Sequence, residues 1–381
     1  MKKIIALAMA LLLVLATMPA FADNERTNGL FTYELKKNGP AIITDYDWEN
    51  NEGDVFVPGT IDGYTVVEIG EYAFACEILE HSHSKVSITL PESITAIGDF
   101  SFCNSEILSI NIPNSVQTIG KGAFSGWKGY LYSDTENLQF RLSGDHPHFA
   151  VIDNALYNKD KKELLYFSNS YEIKVPNGIT SIGDYALYRA TIAKISLPST
   201  LTHIGEYAFV YSGGYAGDDI RLTIPQSVTT IGAHAFEGVY SVDFGSTSIT
   251  EIPDYAIKDV SHLKIDNPQN IEVLGIETGF GNIIESASQL SPKITTIPTG
   301  FGYNRKLKNL PSTVTGIDSM AFTEKVSDFK LSKNLTSIAE DAFPTGSTFI
   351  VKSGSYAERW ASENGFAYTV EGQSNTDWLN N

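Results

Sequence analysis

The chain has 381 residues, 45 of them acidic against 27 basic for a formal charge of −18, and it contains only two cysteines. No basic cluster is long enough to follow a phosphate backbone, so nucleic acid is excluded as a partner. The same acidity disfavours anionic lipid surfaces and is silent about the fold.

In chain order, Lys2-Lys3, an apolar run from Ile4 to Ala16 and the small-x-small site Ala20-Phe21-Ala22 read as a secretory signal peptide over residues 1–22, cut after Ala22. The run is shorter than the ~20 residues that span a bilayer core. The mature chain is therefore expected to be secreted, extracellular or cell-surface associated, with no integral membrane segment. An uncleaved anchor is the alternative, and the good cleavage site argues against it.

A hexapeptide then recurs: Ile69-Gly70-Glu71-Tyr72-Ala73-Phe74, and again at Ile97 to Phe102, Ile119 to Phe124, Ile204 to Phe209 and Ile231 to Phe236. Weaker copies start at Ile182, Ile252, Ile317 and Ile338. The basic period is about 21–22 residues with insertions, a length at which one repeat is one turn of a solenoid. Each repeat opens with an alternating segment ended by proline, such as Ser109-Ile110-Asn111-Ile112-Pro113 or Lys194-Ile195-Ser196-Leu197-Pro198, which predicts a short strand. A second extended piece follows, such as Leu201-Thr202-His203-Ile204, closed by a glycine where the chain bends. The Ala-Phe piece is expected to form a short helical turn. One repeat cannot bury its apolar face, so stacking gives parallel strand ladders outside and columns of Ile, Leu, Val and Phe inside.

The pattern Pro-x-x-Val/Leu-x-x-Ile-Gly-x-x-Ala-Phe resembles the BspA-type leucine-rich repeat family of bacterial secreted and surface proteins, over about Val57 to Phe343. The resemblance implies a leucine-rich-repeat solenoid over 65–350, and it implies an N-terminal β cap over 23–64, where Phe31 to Leu35 and Val57 to Tyr64 look like the family's entry module. Adhesion is the role it suggests. From Ser355 to Gly365 the chain reads as an amphipathic helix stopped by glycine, followed by a strand from Phe366 to Val370, a C-terminal cap over 351–372; residues 373–381 are expected to be a disordered tail.

The repeat is interrupted near 125–170. Ala150 to Phe167 reads as a variant in which a hairpin, turning at Asn158-Lys159-Asp160-Lys161, replaces the helical turn. Trp127 to His148 departs further and is the expected specialised loop. Two more interruptions fall at Tyr211 to Asp219 and between Asp259 and Ile297, the latter read as irregular turns of the same solenoid.

Chemistry is sparse. His81-Ser82-His83 and His146-Pro147-His148 each place two imidazoles on an extended segment but lack a third ligand at fixed spacing, so neither is assigned a metal. Asp218-Asp219 lacks the alternating oxygens of a calcium loop and reads as a solvated acidic turn. There is no Gly-x-Ser-x-Gly elbow, and neither cysteine has a protease frame. No catalytic residue and no cofactor are assigned, and the chain is expected not to be an enzyme. Cys76 and Cys103 follow the Phe of adjacent repeats, where a disulfide and two buried thiols are both open. The binding candidates are the loop residues Trp127, Tyr130, Tyr132, His146 and His148 and the outward ladder positions Ser109, Asn111, Lys194 and Arg221, facing an extracellular protein or glycan. Packing competes with binding for the loop aromatics, and plain solvation for the ladder. The rival readings are a metal-dependent enzyme with its site in 127–148 and a self-associating structural module. The oligomeric state is not set by the sequence.

Overall fold

The computed structural model describes residues 25–372 apart from 38, 52, 77–85, 106, 127–137, 168 and 214–219. The proposed signal peptide, His81, His83, Asp218, Asp219 and the tail therefore lie outside the described residues.

Each solenoid turn begins with a strand whose alternating Ile and Leu side chains enter the core. Val55–Phe56, Val86–Thr89, Ile107–Ile112 and Gln139–Leu142 pair in parallel in that order. The ladder resumes with Asn169–Lys174 and Thr191–Ser196, then Arg221–Thr223, Ser241–Asp243 and His262–Lys264. The proline after the strand turns the chain: its carbonyl accepts the amide three residues on, from Ile94 to Pro91 (3.1 Å), Val116 to Pro113 (3.0 Å), Leu201 to Pro198 (3.1 Å) and Val228 to Pro225 (3.0 Å). Pro-x-x-Val is thus a β-turn that drops a branched side chain straight into the core.

The second side is a ladder of very short strands, including Ala96–Ile97, Thr118–Ile119, Ser181–Ile182, His203–Ile204 and Thr230–Ile231. The glycine after each Ile donates to the Ile carbonyl of the preceding turn, as Gly98 to Ile69 (2.8 Å) and Gly232 to Ile204 (2.8 Å).

On the third side, Gly-x-x-Ala-Phe is a tight turn whose third residue is left-handed, so the chain bends back instead of continuing as a helix. Its Phe amide bonds the Ala-position carbonyl of the next turn, as Phe102 to Ala123 and Phe209 to Ala235, both at 2.8 Å. The Phe rings stack inside, Phe74 on Phe102 at 5.1 Å and Phe102 on Phe124 at 5.5 Å.

The ends are closed by different means. At the start, Arg26–Asn28, Phe31–Leu35 and Ala41–Tyr46 form an antiparallel meander that joins Tyr64–Ile69 in parallel. Phe31, Tyr46 and Trp48 cover Phe74, the first ring of the column. At the other end the helix Tyr356–Glu363 lays Trp360 over Phe343 and Phe349.

Between them the interruption forms a joint. Phe149–Ile152, Ala155–Asn158 and Glu163–Tyr166 run antiparallel, and the last then pairs in parallel with Ser181–Ile182. One buried cluster runs from Tyr33 to Tyr166 and a second from Ala155 to Ala361, so the hairpin is shared by two cores. Burial there raises the Tyr157 phenol to about 12. From Asp259 to Ile297 the turns loosen into three 3-10 segments, Pro268–Asn270, Phe280–Ile283 and Ala287–Gln289.

Candidate recognition surface

The residues singled out in the sequence fall into three groups. Trp127, Tyr130 and Tyr132 lie outside the described residues. His148 is exposed, but His146 is 1% exposed and both its ring nitrogens are engaged: Nε2 donates to the Pro113 carbonyl (2.9 Å), while Nδ1 accepts the amides of His148 (3.1 Å) and Phe149 (3.2 Å). These partners fix the Nε2–H tautomer and leave no nitrogen for a ligand or metal, so His146 is a structural pin and not a contact residue. Ser109 is 3% exposed between the paired Ser87 and Gln139 and is likewise removed from the binding strip. Asn111 is half-buried, its amide spanning to the Leu90 amide (2.6 Å) and carbonyl (3.1 Å). Lys194 and Arg221 are exposed, Lys194 paired with Glu172 at 2.6 Å, one of several cross-turn ion pairs worth little each.

Cys76 and Cys103 do sit on adjacent turns, the Cys76 amide donating to the Cys103 carbonyl at 3.1 Å, but they are thiols, not a disulfide. The Cys103 sulfur accepts the Ser125 hydroxyl at 3.8 Å, and burial raises its pKa. Among the described residues there is no group of three or more His, Cys, Asp or Glu placed to hold a metal ion.

Burial also holds the His146 pKa below the ordinary imidazole value. As pH falls below about 6.5 the unfolded chain takes up this proton before the folded chain does, so the stabilisation is complete above that pH and is lost below it. His146→Ala is expected to cost about 2–3 kcal/mol by orphaning one carbonyl and two amides. Melting curves at pH 7.5 and 5.0 should show a smaller acid loss in the variant than in the wild type.

Sequence reasoning missed the most continuous surface feature. The left-handed residue of successive third-side turns is aromatic: Tyr72, Phe100, Tyr185, Tyr207, His234 and Tyr255, with φ between 52° and 58°. Their rings form one row: Tyr72 to Phe100 at 5.3 Å, Phe100 to Tyr185 at 4.9 Å edge-on, Tyr185 to Tyr207 at 4.7 Å, Tyr207 to His234 at 4.3 Å and His234 to Tyr255 at 4.5 Å. The Gly-x-x-Ala-Phe turn between Phe100 and Tyr185 carries Gly122, where a Cβ would stand 2.6 Å from the Phe100 ring; its absence lets Phe100 reach across to Tyr185. Tyr207 and His234 are stacked on both faces by their neighbours, which leaves their edges to solvent. Arg189 lies over Tyr188 (5.5 Å) and Tyr211 (5.8 Å), Lys258 over Tyr255 (5.0 Å), and His234 Nδ1 meets Glu237 at 2.5 Å. Burial raises Tyr72, Tyr185, Tyr188, Tyr207 and Tyr211 above the usual phenol range, so these remain neutral phenols at physiological pH. The available signal was His234 standing where other copies carry Tyr72, Tyr185, Tyr207 and Tyr255.

Comparison with known proteins agrees with the architecture. The model of the BspA type leucine rich repeat region matches in six copies over residues 60–130, 151–216, 218–322 and 280–352. Among solved structures the chain is similar to a leucine rich cell surface protein from Faecalibacterium prausnitzii A2-165 (17% identity, TM-score 0.41, 94% of this chain and 97% of that one). It is also similar to a leucine-rich repeat protein from Eubacterium ventriosum (19%, 0.41, 83% and 92%) and to the pneumococcal vaccine antigen PcpA (15%, 0.30, 93% and 100%). No curated protein matches. No helix among the described residues is long and apolar enough to cross a membrane. With its motif repeated through most of its length and every side of the turn accounted for, the chain belongs to the BspA-type leucine-rich repeat family.

Proposed function

We propose that this is a secreted or cell-surface, non-enzymatic binding protein that holds an extracellular protein or glycan against the aromatic row. The carrying observation is the row's backbone cost. A bulky side chain in the left-handed region costs about 1–2 kcal/mol, which glycine would avoid. The solenoid tolerates glycine there, as Gly122 shows, yet six turns keep an aromatic ring. Stacking recovers about 0.5–1.5 kcal/mol per pair, so stability alone gives little reason for the choice. A continuous strip of ring edges, tyrosine hydroxyls and flanking Arg189 and Lys258 is the composition that interface hot spots favour. Trp127, Tyr130 and Tyr132 follow Gly122 in the sequence, and we propose them as further contact residues.

The test is binding of the labelled full chain to matrix proteins, mucins, glycans and bacterial envelopes, beside Tyr207→Gly and Trp127→Ala/Tyr130→Ala. Saturable binding to one partner, weakened at least tenfold by Tyr207→Gly at an unchanged fold, is the expected result. No saturable binding, or binding indifferent to Tyr207, would end this reading.

A further inference from the structure

The residue two places after the left-handed position forms the outer column of the core: Phe74, Phe102, Phe124, Leu187, Phe209, Phe236 and Ile257, all buried. On the next two turns the left-handed residues are Glu277 and Gly300, and the column positions become Gly279 and Gly302; at Phe322 the aromatic returns. Two consecutive side chains are thus absent from one column. The core does not drain through this gap, because Phe280 and Phe301, each 0% exposed, have stepped inward. What remains is a cavity of about 490 Å³ outside them, between the segment 257–263 and the two glycine turns.

The lining is mixed in polarity. Ile257, Leu263 and Ile283 contribute apolar surface to it, beside the polar groups of Lys258, Asp259, Glu277 and Asn282. Lys258, which lines the cavity, also lies over Tyr255, the last ring of the aromatic row. The Asn282 amide is fixed in the gap: its Oδ1 accepts the Tyr303 amide at 3.0 Å and lies 2.5 Å from where a Gly302 Cβ would stand, and its Nδ2 lies 3.1 Å from a Gly279 Cβ. His262 is held by its Nε2 contact with the Tyr240 hydroxyl at 3.0 Å.

We propose that this cavity is a binding site for a neutral sugar, on the order of one or two hexose units. The apolar side chains of the lining suit the C–H face of a pyranose, and its mixed donors and acceptors suit a ring of hydroxyls that both donate and accept. One lysine against two carboxylates leaves no strong excess of charge to select an ionic ligand. The volume lies within the ~300–1,000 Å³ of small-molecule sites. This inference rests on the paired glycines, not on the row, and stands even if the row's partner is a protein.

The test is saturation-transfer NMR and calorimetry of the full chain with glucose, galactose, mannose, N-acetylglucosamine and their disaccharides, with glucuronic acid and glucosamine as charged probes. The expected result is saturable binding of a neutral sugar, weakened at least tenfold by Ser261→Trp, which fills the mouth from an exposed position, and by Asn282→Ala, but unchanged by Tyr207→Gly. No saturable neutral sugar, a preference for a charged probe, or binding that survives Ser261→Trp would overturn it. Loss with Tyr207→Gly alone would assign the sugar to the row and equally overturn the cavity.

Discussion

Gly232→Ala is expected to be among the most damaging single-methyl changes in this molecule. The added Cβ would stand 2.4 Å from the Glu206 amide nitrogen and 2.7 Å from both the Glu206 Cα and the Gly205 carbonyl carbon. All three are backbone atoms of the preceding turn, which cannot rotate away as a side chain can. The Gly232 amide also donates to the Ile204 carbonyl at 2.8 Å, so relief by moving the turns apart lengthens the bond that joins them. Overpacking costs about 1–3 kcal/mol in general, and the upper end or beyond applies where the obstacle is main chain. A solenoid's turns are coupled only to their neighbours, so the damage should also be local. Denaturant unfolding should show an early step that the wild type lacks, and hydrogen exchange should quicken first in the second-side strands 203–204 and 230–231. Gly53→Ala is the control, since nothing lies within 4 Å of its Cβ position, and it should stay within about 0.5 kcal/mol of wild type. Equal midpoints for the two variants would refute the close-approach account of the motif glycine.

That glycine also marks how far the sequence was legible. Its recurrence gave the repeat and its period, because a stacked solenoid asks the same thing of the same position in every turn. The reason for it was not legible: the bend is made two residues later, at Tyr72 or Tyr207, where φ is positive, and the glycine serves contact between turns. A bulky aromatic is a poor advertisement for left-handed backbone, so local propensity hid both the turn and the row built on it. His146-Pro147-His148 misled for a related reason. Spacing along the chain suggested a ligand pair, but the exposure of His146 is decided by Pro113, on another turn, whose carbonyl accepts its Nε2–H. Ser109 sits in an alternating strand and still lies buried, because strands on both sides and a register shift at Val86/Ser87 close over it. The apolar columns were read correctly because they depend on composition at fixed spacing. His146 and Ser109 were misread because their exposure depends on which turns end up as neighbours.

Trp360→Ala is expected to cost about 3–5 kcal/mol, the range for emptying a buried indole site, and to unravel the solenoid from its C-terminal end. Trp360 is 4% exposed, stacks on Phe366 at 5.1 Å, and packs against Phe349 at 5.8 Å and Phe343 at 6.0 Å. Phe343 is the last ring of the column, so the indole stands where another turn would have supplied a phenylalanine. The helix that carries it is short and holds its place by Ser355, whose hydroxyl accepts the Glu358 amide at 3.2 Å, and by Glu358, whose carboxylate accepts the Gly354 amide at 2.6 Å. Eight residues of helix are marginal alone, so this helix persists because Ala357, Trp360 and Ala361 are buried. Without the indole the apolar end of the column faces water. The strands Phe329–Lys330, Thr348–Val351 and Ala367–Val370 should then exchange amide hydrogens much faster, while the core from Tyr33 to Tyr166 keeps its protection across the hairpin joint. Uniform loss of protection along the whole chain would show that the two cores unfold as one and that the joint at 149–166 transmits, instead of separates, the failure of a cap.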